Sequence, residues 1–270
     1  MKLQIIIPLT ILLLFSYLIF VFPFETIALW LGRITSYQET ILSTAFVYLV
    51  CLYYFRSKSS NKLIKLFVYE GMGIGTISLF IVIFILAISL VITISDSQKI
   101  FIYFLIFFPS IIYGFINAKK VSVKQLKFSH SKIKKNLSFV FLSDIHIGSN
   151  SPKILKKIVH LINKENPKFV LIGGDLIDSS SFKINDLDEI KKIKAPIYFV
   201  TGNHEYYIED SQKHLNDLKN QNIKVLDNQS VLEEQINIIG LSDNQKKDNK
   251  INKFEQLFES DYFNLLLVHQ

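Results

Sequence analysis

The chain has 270 residues and a single cysteine, Cys51. One cysteine cannot form an internal disulfide or a cysteine-based zinc site, so any metal chemistry must use other ligands. Internal repeats and low-complexity linkers are absent from the sequence as well. Apolar residues are in excess: half of the chain is hydrophobic, more than in an average soluble domain, while 20% of it is charged, too much for a pure membrane bundle. Two kinds of region are therefore joined in this chain.

Four long runs with almost no charge lie within residues 1–118, namely Ile5–Phe22, Ile41–Phe55, Gly71–Ile94 and Ile100–Asn117. Each approaches the roughly 17 to 25 residues of a membrane-spanning helix, although the second run is marginal. The first run is long for a cleaved signal peptide and has no clear small-x-small cleavage site. We therefore predict an all-α membrane domain with four transmembrane helices over residues 1–118.

Lysine and arginine are unevenly distributed among the links between these runs. The link between runs two and three contains Arg56, Lys58, Lys62 and Lys65. The other two links between runs contain only Arg33 and Lys99. Positively charged links stay in the cytoplasm. We therefore predict a multi-pass protein of the cell membrane, with both chain ends and the domain after the fourth span in the cytoplasm.

Residues 119–135 contain seven lysines and lack aspartate and glutamate altogether. From Asn136 to Gln270, in contrast, 16 lysines stand against 19 aspartates and glutamates, a balance of −3. The basic charge thus lies next to the membrane domain, which argues against a nucleic-acid partner. We interpret residues 119–135 as a basic juxtamembrane linker, explained by the positive-inside rule or by attraction to anionic headgroups at about 1 kcal/mol per lysine.

The four membrane runs offer little chemistry of their own. Gly71 and Gly75 form a small-xxx-small pair that favours close helix packing, and Glu70 lies at the edge of a run, where an interfacial carboxylate is common. The runs contain no buried charge pair and no broken-helix pattern, which weighs against the hypothesis of a transporter or sensor.

From Asn136 onward, short apolar runs alternate with longer amphipathic ones. Buried strands of an α/β sheet covered on both faces are predicted at Leu137–Leu142, Phe169–Ile172, Ile197–Val200, Ile236–Ile239 and Phe263–Val268. The segment 151–166 predicts a helix with Ser151 as N-cap and Pro152 as its first residue. Further helices are expected at Leu187–Lys194, Glu209–Gln221 and Lys253–Glu259.

Polar residues follow four of these strands at the point where each strand ends. They are Asp144 and His146, then Asp175, then Asn203 and His204, and finally His269. Carboxyl ends of strands share one rim of an open α/β sheet, so we expect these side chains to converge. Oxygen and imidazole ligands suit divalent Mn, Fe or Zn. Two such ions roughly 4 Å apart can hold a hydroxide between them and clamp a phosphoryl group.

The segments SDIHIG, GGDLID, GNHEYY and LLLVHQ, in this order and spacing, resemble the motifs of the calcineurin-like metallophosphoesterase family. The resemblance covers residues 136–270, and the apolar front end resembles the bacterial membrane-bound branch of that family. It implies an α/β metallophosphoesterase domain, built as a layered β-sandwich flanked by helices, after the membrane domain.

The resemblance also implies roles for the strand-end residues. Two divalent ions share Asp175, the first being held also by Asp144 and His146 and the second by Asn203 and His269. His204 matches the family's histidine that contacts the phosphate and protonates the leaving oxygen.

The remaining polar candidates receive structural interpretations. We expect Asp178 to cap the next segment, and we expect Glu205 and Tyr206 to shape the loop behind His204. Three other histidines are expected to be structural or solvated: His130, His160 and His214. Asp243 resembles a family loop residue of uncertain role.

Family members normally continue into a Gly-His-x-His segment whose histidines complete both coordination shells. The sequence reaches Gln270 directly after its last motif, so we expect a C-terminally incomplete domain, arising from truncation, a frameshift or a genuine short form. A catalytically impaired fragment or membrane scaffold is therefore the alternative to an active enzyme.

The main hypothesis is a membrane-anchored, metal-dependent hydrolase of phosphoester or pyrophosphate bonds. Its expected substrate is a phosphorylated small molecule or, more narrowly and by resemblance, a lipid-linked phosphate at the cytoplasmic face. The lysine run supports the lipid-linked substrate, because it would hold the rim of the sheet near anionic lipid.

The uneven distribution of lysine and arginine makes the orientation testable. A fluorescent protein fused after Gln270 should fluoresce, and alkaline phosphatase fused there should be inactive, because both would face the cytoplasm. The opposite pair of signals would overturn the predicted topology.

Overall fold

A computed structural model describes residues 2–57, 61–179, 182–219, 221–244 and 246–270. Within it the chain divides into two compact units, Met1–Lys120 and Val121–Gln270. The first unit is helical and the second contains all of the strands that the structure describes.

The helices described in the first unit are α1 Lys2–Phe20, α2 Phe22–Trp30, α3 Tyr37–Ser57, α4 Lys62–Ser89 and α5 Asp96–Ala118. Three described stretches are long and apolar enough to cross a membrane, judged by length and composition: Pro8–Trp30, Leu63–Ser89 and Asp96–Ala118. These stretches contain most of three of the predicted runs. The second predicted run lies in α3, the least apolar of these helices, whose first turn contains Gln38 and Glu39. Three apolar helices are thus found where four spans are predicted.

Close packing of α1 against α4 depends on the two glycines of the small-xxx-small pair. A Cβ added at Gly71 would press on the Phe20 ring, and one added at Gly75 would collide with the main-chain carbonyl of Ile19. A Cβ added at Gly73, on the same helix, would meet nothing within 4 Å. The predicted use of Gly71 and Gly75 in helix packing is therefore seen in the structure.

The second unit has two sheets and several helices. Its strands are β1 Phe139–Leu142, β2 Phe169–Gly173, β3 Ile197–Val200, β4 Ile223–Val225, β5 Gln229–Glu233, β6 Ile236–Gly240 and β7 Phe263–Leu267. The first sheet has the order β1-β2-β3-β4 and is parallel throughout. In the second sheet, β6 lies between antiparallel β5 and parallel β7. The α-helices are α6 Lys153–Glu165, α7 His204–Tyr207, α8 Ser211–Lys219 and α9 Lys247–Leu257, and a 3-10 helix covers Ile184–Lys192.

The continuous apolar strands are explained by two cores, one on each face of the first sheet. Val170 and Ile172 of β2 point into a core formed with α6, α8 and the 3-10 helix. Phe169 and Leu171, which alternate with them, point into a second core shared with β6 and β7 of the other sheet. Successive side chains of a strand face opposite sides, so a strand covered on both sides is apolar at every position. The predicted α/β fold with covered strands is confirmed.

Several details differ from the sequence prediction. Helix α9 starts six residues before, and ends two residues before, the expected Lys253–Glu259. The strands β4 and β5 were not predicted, because β4 has only three residues and β5 is largely polar. Helix α6 begins at Lys153, so neither Ser151 as N-cap nor Pro152 as first helical residue is correct; Ser151 instead accepts a hydrogen bond from the Lys153 N–H across a turn. The segment expected at Leu187–Lys194 is a 3-10 helix that starts three residues earlier.

The last part of the lysine segment is attached to the second unit. Ile133 packs against the core between the two sheets, and the Lys132 ammonium donates hydrogen bonds to the carbonyls of Ser260 and Tyr262. The side-chain oxygen of Gln235 accepts from the N–H groups of Lys134 and Lys135. These contacts fix where the chain enters β1.

The glycine contacts of α4 predict opposite effects for two similar substitutions. Gly75→Ala should lower the thermal midpoint of the detergent-solubilised protein, because the new methyl group would push α1 away. Gly73→Ala is the matched control and should leave the midpoint unchanged or raise it, since alanine is the better helix former by about 1 kcal/mol. Equal midpoints for the two variants would show that α1 and α4 are not packed at Gly75.

Candidate metal centre

The loops after β1 and β2 are held together by main-chain hydrogen bonds at the carboxyl edge of the first sheet. The N–H of Asp144 donates to the Gly174 carbonyl at 3.1 Å, and the N–H of His146 donates to the Asp175 carbonyl at 2.9 Å. The parallel pairing of β1 and β2 brings both loops to the same rim. Asp144 and His146 thus become neighbours of Asp175, which follows them by 31 and 29 positions in the sequence.

Asp175 lies at the centre of this rim and is only 3% exposed. Its Oδ2 atom is 3.3 Å from Nε2 of His269, 3.7 Å from Nε2 of His146 and 3.9 Å from Nε2 of His204. Its other oxygen, Oδ1, accepts a hydrogen bond from the main-chain N–H of His204 at 3.0 Å. One oxygen is therefore fixed by the protein while the other faces three imidazoles.

The surroundings of His269 show why a cation fits this site. Nδ1 of His269 lies 2.9 Å from the Gly173 carbonyl, which can only accept, so Nδ1 carries the proton. In the neutral ring this leaves Nε2 with a lone pair, although Nε2 faces Oδ1 of Asn203 at 3.1 Å and Oδ2 of Asp175 at 3.3 Å. Asn203 Oδ1 also accepts from the Gln270 side chain at 3.2 Å. A cation bound beside Nε2 would satisfy the imidazole lone pair and both oxygens together.

All six residues singled out at the strand ends meet at this rim. Two sets of three have ligand atoms within 4.8 Å of one another: His146, Asp175 and His204, and Asp144, Asp175 and His269. Nε2 of His146 is also 3.7 Å from Oδ1 of Asp144, and the amide of Asn203 borders the second set. The described residues therefore contain candidate metal ligands where the sequence places them.

Three of these residues have a left-handed backbone conformation. The φ angles are +55° at Asp144, +52° at His146 and +53° at Asp175. Non-glycine residues rarely adopt such angles, and each costs of the order of 1 kcal/mol or more. Strain concentrated at three neighbouring candidate ligands is typical of a functional site, where the side-chain direction matters more than local stability.

Glu205 joins the loop after β2 to the loop after β3. The side chain is buried and accepts three main-chain N–H groups, from Gly202 at 2.7 Å, Ile177 at 2.9 Å and Asp175 at 3.0 Å. Burial raises the pKa of the Glu205 carboxyl, and the N–H donors of Ile177, Gly202 and Asp175 oppose that rise. Glu205 therefore fixes the position of Asp175 relative to the Asn203 loop.

The contact between these two loops also requires glycine at position 202. A Cβ at Gly202 would overlap with Oδ1 of Asp175 and lie 2.7 Å from the Asp175 nitrogen. Gly174, with φ of +91°, makes an equally close approach, because a Cβ there would lie 2.7 Å from Nδ1 of His269. The buried carboxylate and the imidazole are thus packed directly against main chain.

Asp178 contacts the loop after β1, and the residues 180 and 181 that it was expected to cap lie outside the described residues. Its Oδ1 accepts from the N–H of Ser149 at 2.8 Å. Its Oδ2 is 3.4 Å from Nδ1 of His146, and the side chain is nearly buried. A carboxylate behind a metal-ligating histidine holds the orientation of the ring, so this contact would keep Nε2 of His146 directed toward Asp144 and Asp175.

A buried polar network supports the loop behind His204. The Tyr206 hydroxyl is 2.8 Å from the Ser242 hydroxyl and 2.9 Å from that of Thr201, and Thr201 donates to Asp227 at 3.0 Å. Burial raises the pKa of the Tyr206 phenol. The predicted loop-shaping role of Glu205 and Tyr206 agrees with these contacts, and Asp243 forms an ion pair with Lys250 at 3.2 Å.

The remaining histidines lie apart from this rim. His130 stacks near Phe263 with ring centroids 4.9 Å apart, His214 lies 5.4 Å from the ring of Phe182, and His160 is exposed on α6. None of the three belongs to a candidate metal group in the part of the chain that the structure describes.

Comparison with known families agrees with this geometry. Residues 137–269 match the family model of calcineurin-like phosphoesterases. This segment belongs to that family. Members bind divalent metals, and the candidate ligands described above lie inside the matched segment.

The calcineurin-like domain is also similar to named relatives. It is 34% identical over 141 residues to an uncharacterized metallophosphoesterase of Campylobacter jejuni, covering 49% of this chain and 37% of the relative. An uncharacterized metallophosphoesterase of Helicobacter pylori (strain ATCC 700392 / 26695) is 34% identical over 126 residues, or 45% of this chain and 34% of the relative. A transmembrane protein with metallophosphoesterase domain from Danio rerio is 34% identical over 125 residues, which cover 43% of this chain and 29% of the relative. The matches thus span 29 to 37% of the length of these relatives.

The different positions of Asp175 and Asp178 predict graded losses of metal affinity. By calorimetric titration of the purified chain with Mn²⁺, Asp178→Asn should weaken binding about 10- to 100-fold, as loss of a residue behind a ligand does. Asp175→Asn should weaken it further, because the central oxygen is changed.

The exposed Asp188→Asn, on the 3-10 helix, is the matched control and should bind Mn²⁺ like the parent. Thermal midpoints of all three variants report whether they are folded. Equal losses for Asp175→Asn and Asp178→Asn in folded proteins would mean that the central carboxylate is wrongly assigned.

Proposed function

We propose that the chain is a membrane-anchored, metal-dependent phosphohydrolase that cleaves phosphoester or pyrophosphate bonds. The observation that carries the proposal is that Asn203 Oδ1 and Asp175 Oδ2 lie 3.1 and 3.3 Å from the same atom, Nε2 of His269. Divalent ions bound at such a site neutralise phosphoryl charge and lower the pKa of water enough to supply a nucleophile at neutral pH.

We assign Asp144, His146 and Asp175 to one ion and Asp175, Asn203 and His269 to a second. The 3.7 Å distances from His146 Nε2 to both Asp144 and Asp175 support the first assignment. The Asn203 and Asp175 oxygens around His269 support the second. Oxygen and imidazole donors suit Mn, Fe or Zn, and the matched family uses divalent metals.

His204 is proposed as the acid that protonates the leaving oxygen. Its main-chain N–H is fixed by Asp175 Oδ1, while its side chain is about one third exposed and so accessible to a substrate. The ring packs edge-on against His146, with centroids 4.7 Å apart, which limits its rotation. An imidazole that is held in position and partly exposed is suited to transfer a proton to a leaving group.

We further propose a four-span topology with a cytoplasmic catalytic domain and a substrate at the membrane. Three apolar helices, the lysine asymmetry and the similarity to a transmembrane relative support the membrane placement. The domains we propose are a membrane domain over 1–118, a basic linker over 119–135 and the phosphoesterase domain over 136–270. A lipid-linked phosphate is the substrate that this placement favours, since it would lie next to the lysine segment.

The proposed activity is tested with the purified chain and excess Mn²⁺ on two phosphodiesters: bis-(p-nitrophenyl) phosphate, whose p-nitrophenolate leaves without a proton, and glycerophosphocholine, whose alkoxide must be protonated. On glycerophosphocholine, His204→Ala should lower kcat by roughly 100- to 10,000-fold, because proton transfer to the leaving group is lost, and on the aryl ester the loss should be much smaller. His160→Ala, an exposed histidine outside the site, is the matched control and should keep the parental rate. A His204→Ala variant that keeps its metal and the full rate would contradict the assigned role, and a parent that shows no metal-dependent hydrolysis would contradict the proposed activity.

A further inference from the structure

The segment 121–128, which follows α5, leaves large apolar side chains uncovered. All of its residues are described, and they form neither helix nor strand. Phe128 is 86% exposed, Leu126 64% and Val123 46%. Single apolar residues are common on protein surfaces, whereas three large exposed ones within six positions of the sequence indicate a surface that binds a partner.

The same segment and its approach are strongly basic. Lys119, Lys120, Lys124 and Lys127 are exposed, and residues 119–135 include no carboxylate. Glu165 accepts a hydrogen bond from the Gln125 side chain at 3.4 Å. Among the described residues, the ion pairs include none of Lys119, Lys120, Lys124 and Lys127. Lysines that alternate with Val, Leu and Phe require a partner that is apolar inside and anionic at its surface. A bilayer containing anionic lipid has both properties.

The position of the segment in the chain supports the same partner. Val121 is three residues after the end of α5 at Ala118, and α5 is one of the three helices apolar enough to cross a membrane. At no more than about 3.5 Å per residue, Leu126 and Phe128 cannot be more than about 35 Å of chain from that helix end. Beyond them, His130 and Lys132 attach the chain to the second unit through Phe263, Ser260 and Tyr262.

We propose that residues 121–128 bind the surface of an anionic bilayer, with Leu126 and Phe128 in the interface and Lys124 and Lys127 at the headgroup phosphates. The proposal rests on the membrane placement given under the proposed function, and not on the phosphoesterase activity. An apolar groove of a soluble protein would accommodate Leu126 and Phe128 but would leave the lysines without a counter-charge.

The experiment uses the full chain in proteoliposomes with a single reporter. The chain has one tryptophan, Trp30, so Trp30→Phe combined with Phe128→Trp places the indole in the segment. With 30% phosphatidylglycerol in phosphatidylcholine, lipids brominated near the headgroup should quench this indole at least twofold. The matched control carries Phe258→Trp, at an exposed position after α9 that is 47% accessible, and should be quenched little.

The lysines are tested in the same background. Lys124→Gln with Lys127→Gln should remove most of the quenching, and so should pure phosphatidylcholine vesicles. If neither the double lysine variant nor the pure phosphatidylcholine vesicles reduced the quenching, the proposed contact between these lysines and anionic headgroups would be wrong. Quenching no greater than that of the Phe258→Trp control would overturn the proposal and favour a protein partner for the segment.

A second label protects the test if Trp30→Phe unfolds the protein. Phe128→Cys can be labelled with a nitrobenzoxadiazole dye, since the native Cys51 is fully buried. The label should be shielded from external dithionite in anionic vesicles and reduced quickly in detergent. All readouts are taken without metal or substrate, so a failure here leaves the hydrolysis assay unaffected, and inactivity in that assay leaves this proposal standing.

Discussion

The buried carboxylate of Glu205 is the interaction on which the arrangement of the rim depends. Two loops meet there with their main chains in contact, and three N–H groups from those loops would be unsatisfied without it. A buried N–H without a partner costs about 1 to 3 kcal/mol, so the carboxylate fixes both loops by satisfying all three. Asp175 then has one defined position, and the imidazoles of His146 and His269 are arranged around it.

In the second unit, the sequence predicted those strands whose side chains are buried on both faces of a sheet. The strands β2, β3 and β6 are buried at every position, so continuous apolar runs located them within a residue. The strands β4 and β5 carry no such signal. Their pairing depends on neighbouring strands, as when β4 joins β3 over only three residues, and that information is not local. Local sequence is insufficient for α3 as well. This helix is long enough to span a membrane, but its composition does not decide whether it does.

The candidate ligands were predicted because metal chemistry restricts residue types and because parallel strands bring their ends together. The residues behind them were harder to interpret. In the sequence, Asp178 and Glu205 look like ordinary loop carboxylates. Asp178 contacts a main-chain N–H and the His146 imidazole, and Glu205 accepts from two main-chain N–H groups of the loop after β2, all 28 to 32 positions away. Long-range hydrogen bonds of this kind leave no pattern in local sequence, whereas the positions of Asp144, His146 and Asp175 follow directly from the strands before them.

The rim is arranged at a cost to the stability of the domain. Asp144, Asp175 and Asp178 each have an oxygen within 3.4 to 3.7 Å of a His146 nitrogen, and Asp144, His146 and Asp175 adopt left-handed backbone angles that cost free energy. The two cores of the first sheet hold this strained edge in place. A divalent cation that bound these carboxylates in the folded state only would stabilise the fold by mass action. Metal binding and folding would then be coupled through the same few carboxylates.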